Sequence, residues 1–182
     1  MSTESEKKKG VLGARSFKKL KNSNVESNDP MFVGMDPSFN GFAIIILDKD
    51  ANIIEQKLIN SKSDNDIEDR LIDLESEYKF IPNIIGLHSV YMEGPSFGSN
   101  GAFVLQMGAL HYMLRIMLKR NGVNYKIIAP GTLKKFVTGD GRSKKELMLM
   151  KTYKKWAIEF TDNNLADAYG LARMALDDYI NK

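Results

Sequence analysis

Residues 32–48 read Phe-Val-Gly-Met-Asp-Pro-Ser-Phe-Asn-Gly-Phe-Ala-Ile-Ile-Ile-Leu-Asp. Two β-type runs, 32–36 and 42–48, flank Pro-Ser-Phe-Asn-Gly, and an Asn-Gly pair between such runs signals a hairpin. A third run, about 52–60, extends the hairpin into a meander. Beyond it, 66–80 sets Ile67, Leu71, Leu74 and Tyr78 among acids at helical spacing, which predicts an amphipathic helix with a solvated acidic face. Leu87–Glu93 is a fourth strand ending in Glu-Gly-Pro, and a glycine-bearing loop, 94–101, leads into a helix over about 102–121. A fifth strand over 125–129, a short helical turn over 130–137, a Gly-rich loop over 138–143 and helices over 144–158 and 163–181 complete the chain. A meander followed by alternating helix and strand is an α/β pattern: a mixed five-stranded sheet flanked by helices.

The helix near 102–121 carries apolar residues on nearly every side, among them Phe103, Leu105, Leu110, Tyr112, Leu114 and Ile116. One sheet cannot cover them all, so a second partner surface is expected.

Composition narrows the class. The chain has 182 residues, 43% apolar and 27% charged, which suits one globular domain with a substantial core. The longest strictly apolar run, 42–47, has six residues, far short of the roughly 20 needed to cross a bilayer. No membrane span is expected, the Lys-rich start lacks a secretory signal, and the absence of cysteine fits a reducing, cytoplasmic setting. Residues 1–30 hold seven bases against four acids with no apolar periodicity and read as a disordered basic tail, leaving 31–182 as the domain. Within it, 48–77 has ten acids against four bases, whereas 119–155 has eleven bases against two acids. A concentrated basic block either meets a polyanion or is a solvated helix face.

Asp36 and Glu93 share a setting: each closes a mostly apolar strand and is followed by Pro or Gly. Ligands of open α/β sheets bind outside the carboxyl ends of the strands, so the two carboxylates should converge there. Two partly buried carboxylates repel and are costly to desolvate, and a hard divalent cation relieves both problems. Taken singly, either acid reads equally as a strand end capped by nearby amides. In the last helix, Leu165, Ala168, Ala172, Ala175 and Leu176 form a stripe that packs on the sheet, with Asp167 beside that seam. Asn164, three residues earlier, shares its face and offers a neutral oxygen to a metal, while Asp162 suits an N-cap. His88 and His111 belong to no metal-binding spacing, and no phosphate-binding loop of the Gly-Lys-Ser/Thr type is present.

Taken together, Gly34-Met35-Asp36-Pro37 with Asn40-Gly41, Tyr91-Met92-Glu93, Pro130-Gly131-Thr132-Leu133-Lys134-Lys135, Gly139-Asp140-Gly141 followed by Lys144-Lys145, and Ala166-Asp167-Ala168 resemble RuvC-type Holliday junction resolvases. The match spans about 32–178 and looks most like the phage-encoded branch, which places the chain in a host cytoplasm. The resemblance implies a ribonuclease H-like fold and a homodimer, and the all-round apolar helix near 102–121 fits a two-fold interface that buries its second face. It also implies hydrolysis of two strands of a four-way DNA junction, or of other branched DNA, with Mg²⁺, or Mn²⁺ in its place, as cofactor. Asp36, Glu93 and Asp167 match three acidic metal ligands. The family usually has a fourth acid where this chain has Asn164, so a junction-binding protein with weak or no cleavage is the alternative reading.

Two ions per site would serve such chemistry, with Asp36 bridging them, Glu93 on the water side, and Asp167 with Asn164 on the other. Lys134 and Lys145 match basic positions of the family, and Lys145 is expected to offset charge developing on the scissile phosphate. Lys135, Arg142 and Lys144, extended by Lys119, Arg120, Lys126, Lys151, Lys154 and Lys155, would form a salt-sensitive DNA surface. The family carries a base-stacking aromatic three residues beyond the glutamate; here Ser96 holds that place and Phe97 follows it, so Phe97 reads equally as a DNA-stacking or a core residue. An actin-like ATPase shares the Asp-then-hairpin opening, but 182 residues cannot easily supply its second domain.

Overall fold

The computed structural model describes residues 29–61, 64–95 and 101–182. The elements run β1 (Met31–Asp36), β2 (Asn40–Leu47), β3 (Ile53–Asn60), α1 (Ile67–Tyr78), β4 (Leu87–Glu93), α2 (Ala102–Arg120), β5 (Tyr125–Ile128), α3 (Pro130–Thr138), α4 (Glu146–Trp156) and α5 (Asn163–Ile180). The strands lie in the order β3-β2-β1-β4-β5. β1 pairs antiparallel with β2 and parallel with β4, β2 antiparallel with β3, and β4 parallel with β5. This is the expected mixed five-stranded sheet, with the meander at one side.

Because side chains alternate across a strand, β1 and β4 serve two cores. Val33, Met35, Val90 and Met92 face one way and pack with Phe42, Ile44 and Ile46 of β2, Leu74 and Tyr78 of α1, and Leu110, Leu114 and Leu118 of α2. Phe32 and Tyr91 face the other way, with Leu133, Met148 and Leu171, and Ala43, Ile45 and Leu47 join them there against Ala166, Ala168 and Ala172. Asp36 and Glu93 follow the alternation onto this second face.

The helix boundaries differ from the sequence expectation in instructive ways. The predicted short turn over 130–137 is a nine-residue helix, started by Pro130 and stopped by Gly139 in a left-handed conformation at φ 90°. α4 begins at Glu146 rather than 144, leaving Lys145 as its flanking residue. α1 starts after Asp66, whose carboxylate accepts from Asp69 N, and a 3-10 turn, Ile81–Asn83, links it to β4.

α5 differs most. Its sequence predicts one packed stripe, yet every residue from 165 to 172 is buried. The helix is sandwiched, with the sheet beneath and α3 and α4 above. Tyr169 stands edge-on to Trp156 of α4 at 5.4 Å, and a Cβ on Gly170 would meet Val137 and Leu133 of α3. On the sheet side, a Cβ on Gly34 would lie 1.9 Å from the Ala168 carbonyl oxygen and 2.5 Å from Ala172 N. Glycine in β1 and alanines in α5 therefore bring helix backbone directly onto strand backbone.

α2 behaves oppositely. Leu110, His111, Leu114 and Leu118 are buried, but Leu105 is 77% and Tyr112 60% exposed, with Phe103, Val104 and Ile116 also open to solvent. The second apolar face predicted from the sequence is present, and no described element covers it. Among the described residues no helix is long and apolar enough to cross a membrane.

Candidate metal centre and active site

Three elements deliver the acids. The parallel register Met35↔Met92 brings Asp36 and Glu93, the next residues of β1 and β4, side by side at the strand ends. The close approach of α5 at Gly34 then carries Asp167, one residue before Ala168, over the same spot. Each carboxylate offers an oxygen, and these oxygens all lie within 4.8 Å of one another. Asp36 and Asp167 are buried and Glu93 half-buried. Among the described residues this is the sole grouping of three or more His, Asp or Glu side chains able to share an ion.

The electrostatics of the cluster are strained. Burial, then repulsion from and hydrogen bonding with Glu93, hold Asp36 well above the ordinary carboxylate range. Burial raises Glu93 as well; the hydrogen bond with Asp36 pulls it down, and repulsion from Asp167 pushes it up. Burial and then repulsion from Asp36 push Asp167 up to about 7. The Asp167 Oδ1 atom is buried with no hydrogen-bond partner, a costly condition for a polar atom. Three converging carboxylates, one with an orphaned oxygen, are a donor set suited to a hard divalent cation.

Two lysines oppose the negative charge. Lys145 acts on all three acids and Lys134 on Glu93 and Asp167. Lys145 Nζ donates to Asn164 Oδ1 at 2.8 Å, so the residue standing where the family usually has an acid holds the lysine. Asp162 caps α5, accepting from Asn164 N at 2.8 Å and Leu165 N at 3.4 Å, as its position predicts. Asn164 Nδ2 also lies 2.2 Å from where a Cβ of Gly41 would be, and Gly41 has φ +93°; the β1–β2 turn thus leaves room for this amide.

Lys134 and Lys135 lie on α3. Arg142 and Lys144, both exposed, lie in the loop before α4. That loop is braced: the Thr138 and Ser143 hydroxyls are 2.7 Å apart, and Arg142 N donates to Asp140 Oδ1. Two further lysines of the basic block have partners within the protein. Lys126 Nζ donates to Asp178 at 2.6 Å, and Lys155 Nζ donates to the Phe136 carbonyl oxygen at 2.7 Å while lying over the Phe136 and Trp156 rings. Phe97 lies outside the described residues. His111 is buried on α2, held down at about 4 by burial and then by Arg115, and His88 stacks edge-on to Tyr179; neither joins the carboxylates.

Residues 32–174 match the family described as crossover junction endodeoxyribonuclease RuvC. The chain belongs to the RuvC family. Among solved structures, Thermus thermophilus RuvC is similar with a TM-score of 0.66 at 14% identity, covering 83% of this chain and 96% of that one. The same protein in complex with Holliday junction substrate gives 0.69 at 13% identity with the same coverage. The fowlpox virus Holliday junction resolvase gives 0.52 at 12% identity, covering 81% of this chain and 99% of that one. No curated protein matches the chain in sequence. The RuvC match and these likenesses accord with the ribonuclease H-like fold expected from the sequence motifs.

Sequence reasoning named the three acids but missed what seats them. Gly34 was legible only as part of a motif, although a glycine in a buried strand signals close backbone approach. The Lys145–Asn164 contact links two residues 19 positions apart and left no local signature.

Proposed function

We propose that this RuvC-family chain is a metal-dependent endonuclease that resolves four-way DNA junctions by paired hydrolysis of two phosphodiesters. The observation that carries the reading is the meeting of Asp36, Glu93 and Asp167, with the Asp167 Oδ1 atom lacking any protein partner. Asp36, Glu93 and Asp167 would hold Mg²⁺, or Mn²⁺ in its place, with Asn164 Oδ1 as a neutral donor for a second ion. Bound divalent ions supply an activated water and stabilise charge on the departing oxygen. The protein's own part is to keep three carboxylates desolvated and facing one point, and to place the Lys145 ammonium beside them. That ammonium is a point charge for a phosphate oxygen, steadying the scissile group where negative charge grows. Lys134, Lys135, Arg142 and Lys144 form the surrounding anion-attracting rim.

Two strands need two sites. The exposed face of α2, with Phe103, Val104, Leu105, Tyr112 and Ile116, supports a homodimer paired there, whose two-fold axis would match that of a junction. Residues 31–182 are the nuclease domain in this reading, and the basic tail before it adds phosphate attraction. The motif spacing supports a phage-encoded enzyme working in a host cytoplasm. One contact favours a second reading, a junction binder that cuts slowly: Asn164 is neutral, and its oxygen already accepts from Lys145.

The deciding experiment is a Mg²⁺ and Mn²⁺ titration of cleavage on four-way, forked and flapped DNA, beside gel shifts in Ca²⁺. Symmetrical paired cuts in the four-way junction, lost in Asp36→Asn while binding persists, are expected. Junction retention without nicking at any metal concentration selects the binder. Absence of both rejects the proposal.

A further inference from the structure

We infer that Arg70 is a positioning residue for the carboxylate site, clamping the turn that joins Asp36 to the seat of Asn164. The inference rests on the nuclease reading for its consequence in cleavage, but its geometry stands independently.

Arg70 lies near the start of α1, outside the acidic cluster and outside every motif that carries the family resemblance. Its guanidinium sits 4.7 Å from the centroid of the buried Phe39 ring. Nε donates to Ser61 Oγ at 3.0 Å and an NH2 group donates to Asn40 Oδ1 at 3.1 Å. Ser61 in turn donates its hydroxyl to the Phe39 carbonyl oxygen at 2.7 Å, and its backbone N–H to the same oxygen at 3.0 Å. One planar fork thus holds the ring of Phe39, the side chain of Asn40 and, through Ser61, the Phe39 carbonyl. Phe39 lies in the turn between β1 and β2, and Asn40 opens β2. Asp36 closes β1 three residues before Phe39, and Gly41, against which the Asn164 amide packs, follows Asn40.

Among the described residues no carboxylate forms an ion pair with Arg70, and its partners are neutral acceptors and an aromatic face. A cation held by three geometric constraints, with no ion pair to a described carboxylate, suits positioning better than Coulombic stabilisation. α1 has its own N-cap in Asp66, so Arg70 is not needed to start the helix. Lysine keeps the charge but cannot form the planar fork.

The test uses the full chain carrying Arg70→Ala, Arg70→Lys or Asn40→Ala, the last at an exposed position that leaves the core intact. Mn²⁺ affinity is read by electron paramagnetic resonance without DNA, cleavage rate at saturating metal on a four-way junction, junction affinity by gel shift in Ca²⁺, and folding by thermal melting. Arg70→Ala should weaken Mn²⁺ binding and slow saturated cleavage by about tenfold, the scale of losing a group that orients ligands from outside the first layer. Junction affinity should hold, Arg70→Lys should recover only part, and Asn40→Ala combined with Arg70→Ala should add less than the two separately. Unchanged Mn²⁺ affinity in folded Arg70→Ala and Asn40→Ala overturns the inference, as does a loss confined to junction affinity. If the unaltered chain cuts no branched DNA, the nuclease reading falls, while the Mn²⁺ titration still decides the role of Arg70.

Discussion

Replacing Gly34 by alanine adds one methyl group at the point where β1 and α5 touch. The new Cβ would stand 1.9 Å from the Ala168 carbonyl oxygen and 2.5 Å from Ala172 N. Both are backbone atoms of a buried helix, so no side chain can rotate out of the way. Relief to an ordinary contact of 3.4 Å requires α5 and β1 to separate by about 1.5 Å. α5 cannot simply lift, because α3 and α4 pack on its far side. Overpacking of this kind costs about 1–3 kcal/mol, and the rigidity of both partners argues for the upper end. Asp167 is the residue before Ala168, so the same displacement moves one acid away from the other two. A misplacement of about 1 Å can cost on the order of 100-fold in rate. Urea unfolding of Gly34→Ala should show the stability loss. Single-turnover junction cleavage should show a rate loss that persists at temperatures where the variant is fully folded. Wild-type stability together with wild-type cleavage would refute the account of how α5 seats the site.

Asn164→Asp should lower the Mg²⁺ concentration needed for half-maximal cleavage, because a charged oxygen replaces an amide beside the acids; an unchanged or higher requirement would count against a metal at this position. Burial and Asp36 push Asp167 up to about 7 in the folded protein against about 3.9 in an unfolded chain. The folded state therefore binds the proton more tightly, and this contribution to stability is full below about pH 4 and fades as pH rises through about 7. Melting without metal should show that decline, and added Mg²⁺, which competes with the proton, should stabilise more strongly at pH 8 than at pH 6. Leu105→Asp or Tyr112→Asp on the open face of α2 should yield monomers by sedimentation and convert paired cuts into single nicks, without lowering the melting temperature of the monomer fold.

The strands and two of the acids were legible because their signals are local. Alternating apolar runs and an Asn-Gly turn specify the meander, and Asp36 and Glu93 each stand where a buried strand meets Pro or Gly. The third acid needed the small-residue stripe of α5. What stayed hidden depends on a third layer. A period-3.6 pattern reports that one face of a helix is covered, but alanine and glycine lie inside or outside with little penalty, so the sequence of α5 does not reveal that α3 and α4 cover its back. α2 presents the converse case: its apolar residues announce two buried faces, and a single chain fills one. Lys126 and Lys155 show what a charge count leaves out, since both reach back to partners distant in sequence. Arg70 was invisible for the same reason, its partners lying 9 and 30 residues away.

The placement of α5 across β1, β2 and β4 has a consequence for the cell that makes this protein. All five strands leave the ribosome before α5 does, and until that helix docks the sheet is bare on one side and Asp36 and Glu93 face water without Asp167. A half-synthesised polypeptide thus lacks the third member of the carboxylate cluster, which is complete only once the last helix has docked.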